Sequence, residues 1–225
     1  FEEQGIEHAD ASQTLWLRFR DSGYPLLVTL YYRIYDGHDV VERWVALENN
    51  GGGGPVTISQ ALSADWQLPR RESYRLTYLH GRWGKETQVA EVTLGPGKMV
   101  LESRRGTTSH QLNPWVALDA DGKATEESGE VWSAALAWSG SWKIVMEHTP
   151  FGDVHFTGGI NDFDFSYHLH EGARLDLPQT AQIAVGGALA AGAGVMVSTG
   201  HDSLLLTLGM AVDANVLIFA RMKEE

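Results

Sequence analysis

The densest run of hydrogen-bonding and ionisable side chains in this 225-residue sequence lies at residues 101–115. Arg104 and Arg105, the hydroxyls of Ser103, Thr107, Thr108 and Ser109, then His110, Gln111, Asn113 and Trp115 follow one another with little apolar spacing. Two chemistries fit such a segment. One is a long loop that satisfies its own backbone and docks on a neighbour through its arginines. The other is a polyol-facing surface, where Arg, His and Asn bond hydroxyls and Trp stacks on a sugar face. Residues 81–86, with Arg82, Trp83 and Lys85, form a second patch open to the same two readings. For any single one of the eight tryptophans, core or interface packing is the simpler reading.

Other constellations carry less. Glycoside hydrolysis needs two carboxylates at a defined separation of about 5–9 Å, and no pair stands out. Asp162 and Asp164 flank Phe163 and read as surface or turn residues sharing one strand face. Asp119-Ala120-Asp121-Gly122 opens like a calcium loop with Glu130 at position twelve. Lys123 and Ala124 then occupy positions that need a ligand and a glycine, so a turn is the better reading. His168 and His170 place two imidazoles on one strand face without a third ligand. There is no glycine-rich phosphate loop and no nucleophile elbow.

The elements that position these residues read as short strands. Residues 26–35, 40–47, 56–64, 74–79, 87–94, 98–102, 131–138, 142–148, 154–157 and 174–177 are rich in β-branched and aromatic residues. Turn signals separate them: Asp36-Gly37, Asn49-Asn50 with Gly51 to Gly54, Gly95-Pro96-Gly97, Asp121-Gly122 as a two-residue hairpin, Ser139-Gly140 and Glu171-Gly172. Strands joined by tight turns pair antiparallel. The expectation is an all-β domain over residues 1–180, an antiparallel sandwich.

Composition narrows the partners. A net charge of −12 makes a nucleic-acid backbone an unfavourable one. The absence of cysteine excludes disulfides, thiolate metal sites and a cysteine nucleophile, and is compatible with the cytoplasm. No cofactor is implied. Phe1 in place of an initiator Met, without a signal peptide, reads as a chain whose start is missing. After residue 180 the character changes. Residues 183–197 are uncharged, residues 204–220 are apolar apart mainly from Asp213 and Asn215, and a charged cluster closes the chain. This tail at 181–225 fits either core strand or short membrane helices.

Several segments together resemble one family. Asp39-Val40-Val41-Glu42-Arg43, Leu47-Glu48-Asn49-Asn50, Gln60 to Ala64, Trp83 to Val89, Glu102 to Trp115 and Gly159 to Tyr167 resemble the amino-terminal β-domain of glycoside hydrolase family 36, the bacterial-type α-galactosidases, over about residues 7–180. The resemblance implies a β-supersandwich, here truncated at its start, that precedes a (β/α)₈ barrel carrying both catalytic aspartates. It implies a domain that is inactive alone, with the barrel, an α-galactoside oligosaccharide bound by the complete enzyme, and further copies of the chain as partners. Trp83, Arg104, Arg105, His110, Asn113 and Trp115 are then the substrate or interface residues, with a free-standing carbohydrate-binding module as the alternative. Residues 207–225 instead resemble a membrane segment of the protein-export subunit SecD. That likeness draws attention to Asp213 and Arg221, and it implies membrane association only through the tail.

Overall fold

The computed structural model describes residues 1–125 and 128–186, and every strand ladder among them is antiparallel. The strands in chain order are β1 (Glu3–Ala9), β2 (Ser12–Arg20), β3 (Leu26–Tyr35), β4 (His38–Asn49), β5 (Val56–Ile58), β6 (Ala61–Leu68), β7 (Tyr74–Arg82), β8 (Lys85–Thr93), β9 (Gly97–Ser103), β10 (Leu112–Ala120), β11 (Glu130–Ala137), β12 (Trp142–His148), β13 (Val154–Ile160), β14 (Tyr167–Leu169), β15 (Arg174–Asp176) and β16 (Gln179–Gly186). A ten-stranded sheet runs β1-β2-β3-β4-β16-β11-β10-β7-β8, with β15 beside β4. Two smaller sheets cover one of its faces: β6-β13-β12-β9, and the pair β14-β5.

The alternation of strand side chains gives two cores under one sheet. Leu15, Leu17, Leu30, Tyr32, Val45 and Leu47 of β2–β4 pack on Val56, Ile58 and Leu169 of the β5–β14 pair. Leu76, Val116, Leu118 and Leu136 pack on Trp66, Trp142, Ile144, Met146 and Phe156 of the four-stranded sheet. Arg43 lies between the two clusters. It is only 3% exposed, donates through Nη1 to the Asp65 carbonyl of β6 and stands 5.5 Å from the Tyr32 ring. Burial pushes the Tyr32 phenol above its ordinary range, with Arg43 opposing.

The uncovered face of β1–β4 carries an aromatic row. Gly5, Trp16, Tyr31 and Trp44 are direct cross-strand neighbours. Tyr31 and Trp44 stack at 4.8 Å. Arg33 covers the Trp44 ring at 4.9 Å, and Arg18 covers Trp16 at 5.6 Å. A Cβ on Gly5 would stand 2.6 Å from the Trp16 indole, so glycine lets that ring lie across β1. Each ring has a cross-strand or cationic neighbour, and the row acts as a cross-strand spine.

Several expected elements change. β1 and β2 were not anticipated. The run 56–64 breaks at Ser59-Gln60 into β5 and β6, which join different sheets. The expected two-residue Asp121-Gly122 hairpin does not form: β10 ends at Ala120 and β11 begins at Glu130, and Asp119 Oδ1 accepts from the Lys123 and Ala124 amides, each at 3.1 Å, which turns the chain there. Asp119 is also paired with Arg75 at 2.5 Å, a structural rather than calcium-binding use. His168 bonds Thr57 at 3.0 Å, while His170 lies past the end of β14. No group of three metal-ligating side chains occurs among the described residues. β16 continues the large sheet from Gln179 to Gly186, pairing both β4 and β11. The SecD-like stretch, with Asp213 and Arg221, lies outside the described residues. Among those described, no helix is long and apolar enough to cross a membrane.

Candidate binding face at the loop end of the sandwich

The polar segment at 101–115 is a loop only in its middle. Its first residues close β9 and its last open β10, so Asn113 and Trp115 are strand residues. The sequence hid this strand because Asn113 and Pro114 sit in a bulge, where the β10–β7 register shifts between Leu112 and Val116. Pro is tolerated there because a bulge leaves an unpaired backbone position. Trp115 lies opposite Ala135, half-buried on the face away from the core.

Between the strands, the loop is tied to the β11–β12 turn. Thr108 donates from its amide to the Ser139 carbonyl at 2.7 Å and from its hydroxyl to the Trp138 carbonyl at 3.0 Å. The Gly106 amide donates to Ser141 Oγ at 2.8 Å. Arg104 pairs with Glu102 at 2.8 Å, and its guanidinium stands 4.7 Å over the Phe163 ring. Arg105 and His110 are exposed. Trp83 occupies the tip of the β7–β8 hairpin and is 88% exposed. The hairpin is joined to the loop where the Gly81 amide donates to the Gln111 carbonyl at 3.2 Å. A Cβ at Gly81 would meet the Lys85 carbonyl oxygen of β8 at 2.5 Å, so the bulged end of this hairpin requires glycine there. The backbone donors of Gly84 and of Glu86 itself hold the Glu86 carboxyl below its usual range, and nearby His110 acts in the same direction.

The fold therefore gathers Trp83, Arg104, Arg105 and His110 at one end of the sandwich and places Asn113 and Trp115 on the adjoining strand. Two aromatics at this end escaped the sequence reading: Phe163, which is 59% exposed, and Trp138, partly exposed. Asp162 and Asp164 lie in the β13–β14 loop rather than on a strand face. Asp162 bonds Lys143 at 2.6 Å. Burial opposes ionisation of Asp162, but Lys143, with Arg104 assisting, outweighs it and lowers its pKa.

A second concavity, a trough of about 380 Å³, lies on the uncovered face of the four-stranded sheet. Val100, Val145 and Thr157 form its floor, and Lys98, Lys143, Glu147, Asp65 and His155 its rim. His155 Nε2 bonds the Asp65 carboxylate. That bond raises the His155 pKa above 6.5 against the opposing effect of burial, with Glu147 reinforcing the rise and Lys98 opposing it. A raised histidine stabilises the fold fully below its unfolded pKa and loses that contribution as pH rises through its folded pKa. Between about pH 6 and pH 8, near the ordinary histidine range, the melting temperature should fall more in the wild-type chain than in His155→Gln. Parallel melting curves would refute the coupling.

The fold and its loop end define a β-supersandwich module with aromatic and cationic groups at one end. The chain belongs to a known family of such modules: the Glycosyl hydrolase family 36 N-terminal domain matches residues 3–170. It is 34% identical over 178 residues to α-galactosidase AgaA of Geobacillus stearothermophilus, covering 79% of this chain and 24% of that protein. It is 31% identical over 185 residues to α-galactosidase Mel36A of Lactobacillus acidophilus, covering 80% and 25% respectively. The crystal structure of the Geobacillus enzyme superposes with a TM-score of 0.75 at 33% identity, over 82% of this chain and 25% of that one. Variants of that enzyme have been crystallised with raffinose and with stachyose. The chain thus spans about a quarter of the length of these relatives.

Proposed function

We propose that this chain serves as the non-catalytic amino-terminal domain of an α-galactosidase, supporting a separate catalytic barrel that acts on terminal α-galactosides such as raffinose-type oligosaccharides. The observation that carries the reading is the family match over residues 3–170 to a segment that fills only a quarter of each relative. The loop end supplies the surface such a role needs. Trp83, Trp138 and Phe163 are exposed aromatics, and Arg104 and Arg105 are cations suited to a partner's carboxylates or a substrate's hydroxyls. Further copies of the same chain are the remaining partner class, and the cytoplasm is the compartment we assign.

The purified chain should therefore leave an aryl α-galactoside unhydrolysed above the buffer rate. Arg104→Ala should change the chain's stability by no more than about 0.5 kcal/mol, as a surface substitution does. Trp115→Ala should cost about 1 kcal/mol, the scale of a cross-strand contact. Alanine at the position of the complete Geobacillus enzyme that superposes on Arg104 should lower kcat/KM. Turnover by the isolated chain, or an unimpaired enzyme variant, would overturn the reading.

A further inference from the structure

The loop between β4 and β5 holds the one Asn-Gly pair in the sequence, Asn50-Gly51. Asn50 is exposed, whereas Asn49 beside it is buried and donates to the Gly54 and Leu169 carbonyls at 2.9 and 3.0 Å. The Asn50 backbone is pinned, since its amide donates to the Pro25 carbonyl at 2.9 Å. Its carboxamide lies between Arg20 and Pro25. The oxygen accepts from Arg20 Nη1, and the nitrogen donates to the Pro25 carbonyl at 2.9 Å. That orientation follows from the partners, because the reverse would set donor on donor and acceptor on acceptor. Arg20 is itself oriented by Glu2, whose Oε1 accepts from its Nε at 2.9 Å. Beyond Asn50 the loop is open. Gly51, Gly52 and Gly54 have φ of +87°, +90° and +81°, and no atom stands within 4 Å of a Cβ built on any of them. Without a Cβ, Gly51 leaves its amide nitrogen unshielded toward the preceding side chain. That nitrogen is held by its bond to Asn49 Oδ1 at 3.0 Å.

We infer that Asn50 is a self-modification site, at which the Gly51 amide nitrogen attacks the Asn50 side-chain carbonyl and the amide becomes a carboxylate. The nitrogen gives its proton to hydroxide and forms a bond to Cγ. The Cγ–Nδ2 bond then breaks. Nδ2 takes a proton from water and leaves as ammonia, and a cyclic succinimide remains. Water opens that ring at either carbonyl, giving aspartate or isoaspartate at position 50. Negative charge builds on Oδ1 during the attack, and the Arg20 guanidinium already stands at that oxygen, an arrangement that favours such a step. The carboxylate formed faces the same cation. The other asparagines each lack an element of the site. Asn113 precedes Pro114, which has no N–H to give up. Asn161 is 2% exposed with both ends of its amide engaged. Asn49 is buried and bonded. Asn215 precedes Val216, whose branched Cβ crowds the nucleophile.

The site is independent of the barrel-supporting role, and its test uses the full chain. The folded protein is held in mildly alkaline buffer at physiological temperature, then digested at acid pH, where the reaction stops, and its peptides are followed by mass spectrometry. The peptide that contains Asn50 should gain the mass difference between a hydroxyl and an amino group before any other asparagine peptide does, with isoaspartate appearing at position 50. Asn50→Gln should leave that peptide unchanged over the same period. Arg20→Met, a surface change that should keep the wild-type melting curve, removes the cation from the reacting oxygen and should slow the conversion several-fold. A synthetic peptide of residues 44–55 serves as the unfolded reference. Conversion in that peptide with none in the folded chain would show that the fold shields the pair. That result, earlier conversion at another asparagine, or an Arg20→Met chain that converts as fast as the wild type would each overturn the proposal.

Discussion

Trp142→Ala is expected to destabilise the domain by about 3–5 kcal/mol, the cost of removing a large aromatic from a packed core. Trp142 is fully buried in β12, the second-to-last strand of the four-stranded sheet, between Ser103 of β9 and Ile160 of β13. Its indole is part of the core shared with Leu76, Leu118 and Leu136 of the large sheet. In a chain of this size each kcal/mol moves the melting temperature by roughly 2–4 °C, so the loss should be plain in a thermal melt. Trp142→Phe separates packing from hydrogen bonding. The indole Nε1 is buried without an acceptor, and phenylalanine removes that unpaired donor while keeping most of the volume. Its cost should stay below about 1.5 kcal/mol. If Trp142→Ala melts with the wild type, the four-stranded sheet does not pack on the large one as described.

How much of this was legible depends on where each signal is stored. β7 and β12 announce themselves because their first halves alternate buried and less buried residues, while β3 and β4 are runs of β-branched, aromatic and aliphatic residues in which part of the second face is buried too, as at Leu26-Leu27 and Val45-Ala46-Leu47. β1 was hidden because its residues, Glu3 to Ala9, are nearly all exposed and present no apolar face to read. β10 was hidden by the bulge at Asn113 and Pro114. Strand order was not legible either. β16 enters between β4 and β11, far from both in sequence, and that placement is decided by global packing rather than local pattern. In the candidate site, the cluster of arginines, His110 and Trp83 could be recognised by type. Phe163 could not, because its exposure and its contact with Arg104 arise only when the β13–β14 loop folds beside the end of β9.

Asn161 shows the same limit most sharply, since it reads in sequence as one more turn residue. Here it is 2% exposed. Its Nδ2 lies within bonding distance of the Trp142 carbonyl at 3.1 Å, the Ser103 carbonyl at 3.2 Å and Glu102 Oε2 at 3.1 Å. Its Oδ1 accepts from the Phe163 amide at 2.9 Å, and its own amide donates to the Ser141 carbonyl at 3.1 Å. One side chain thus joins β9, β12 and the β13–β14 loop, directly beneath the Arg104–Phe163 contact. Asn161→Ala would leave those carbonyls and the Phe163 amide short of partners, at about 2–4 kcal/mol. Asn161→Asp is the sharper test. Its carboxylate keeps the acceptor for Phe163 but turns a second oxygen toward two carbonyls and Glu102, which disfavours the charged form. A carboxyl whose folded pKa is raised loses stability as pH rises. The Asp variant should therefore melt closer to the wild type in mild acid than at neutral pH, while the Ala variant keeps a near-constant offset. Equal offsets for both variants at both pH values would show that the amide donor at this position does not hold the loop end together.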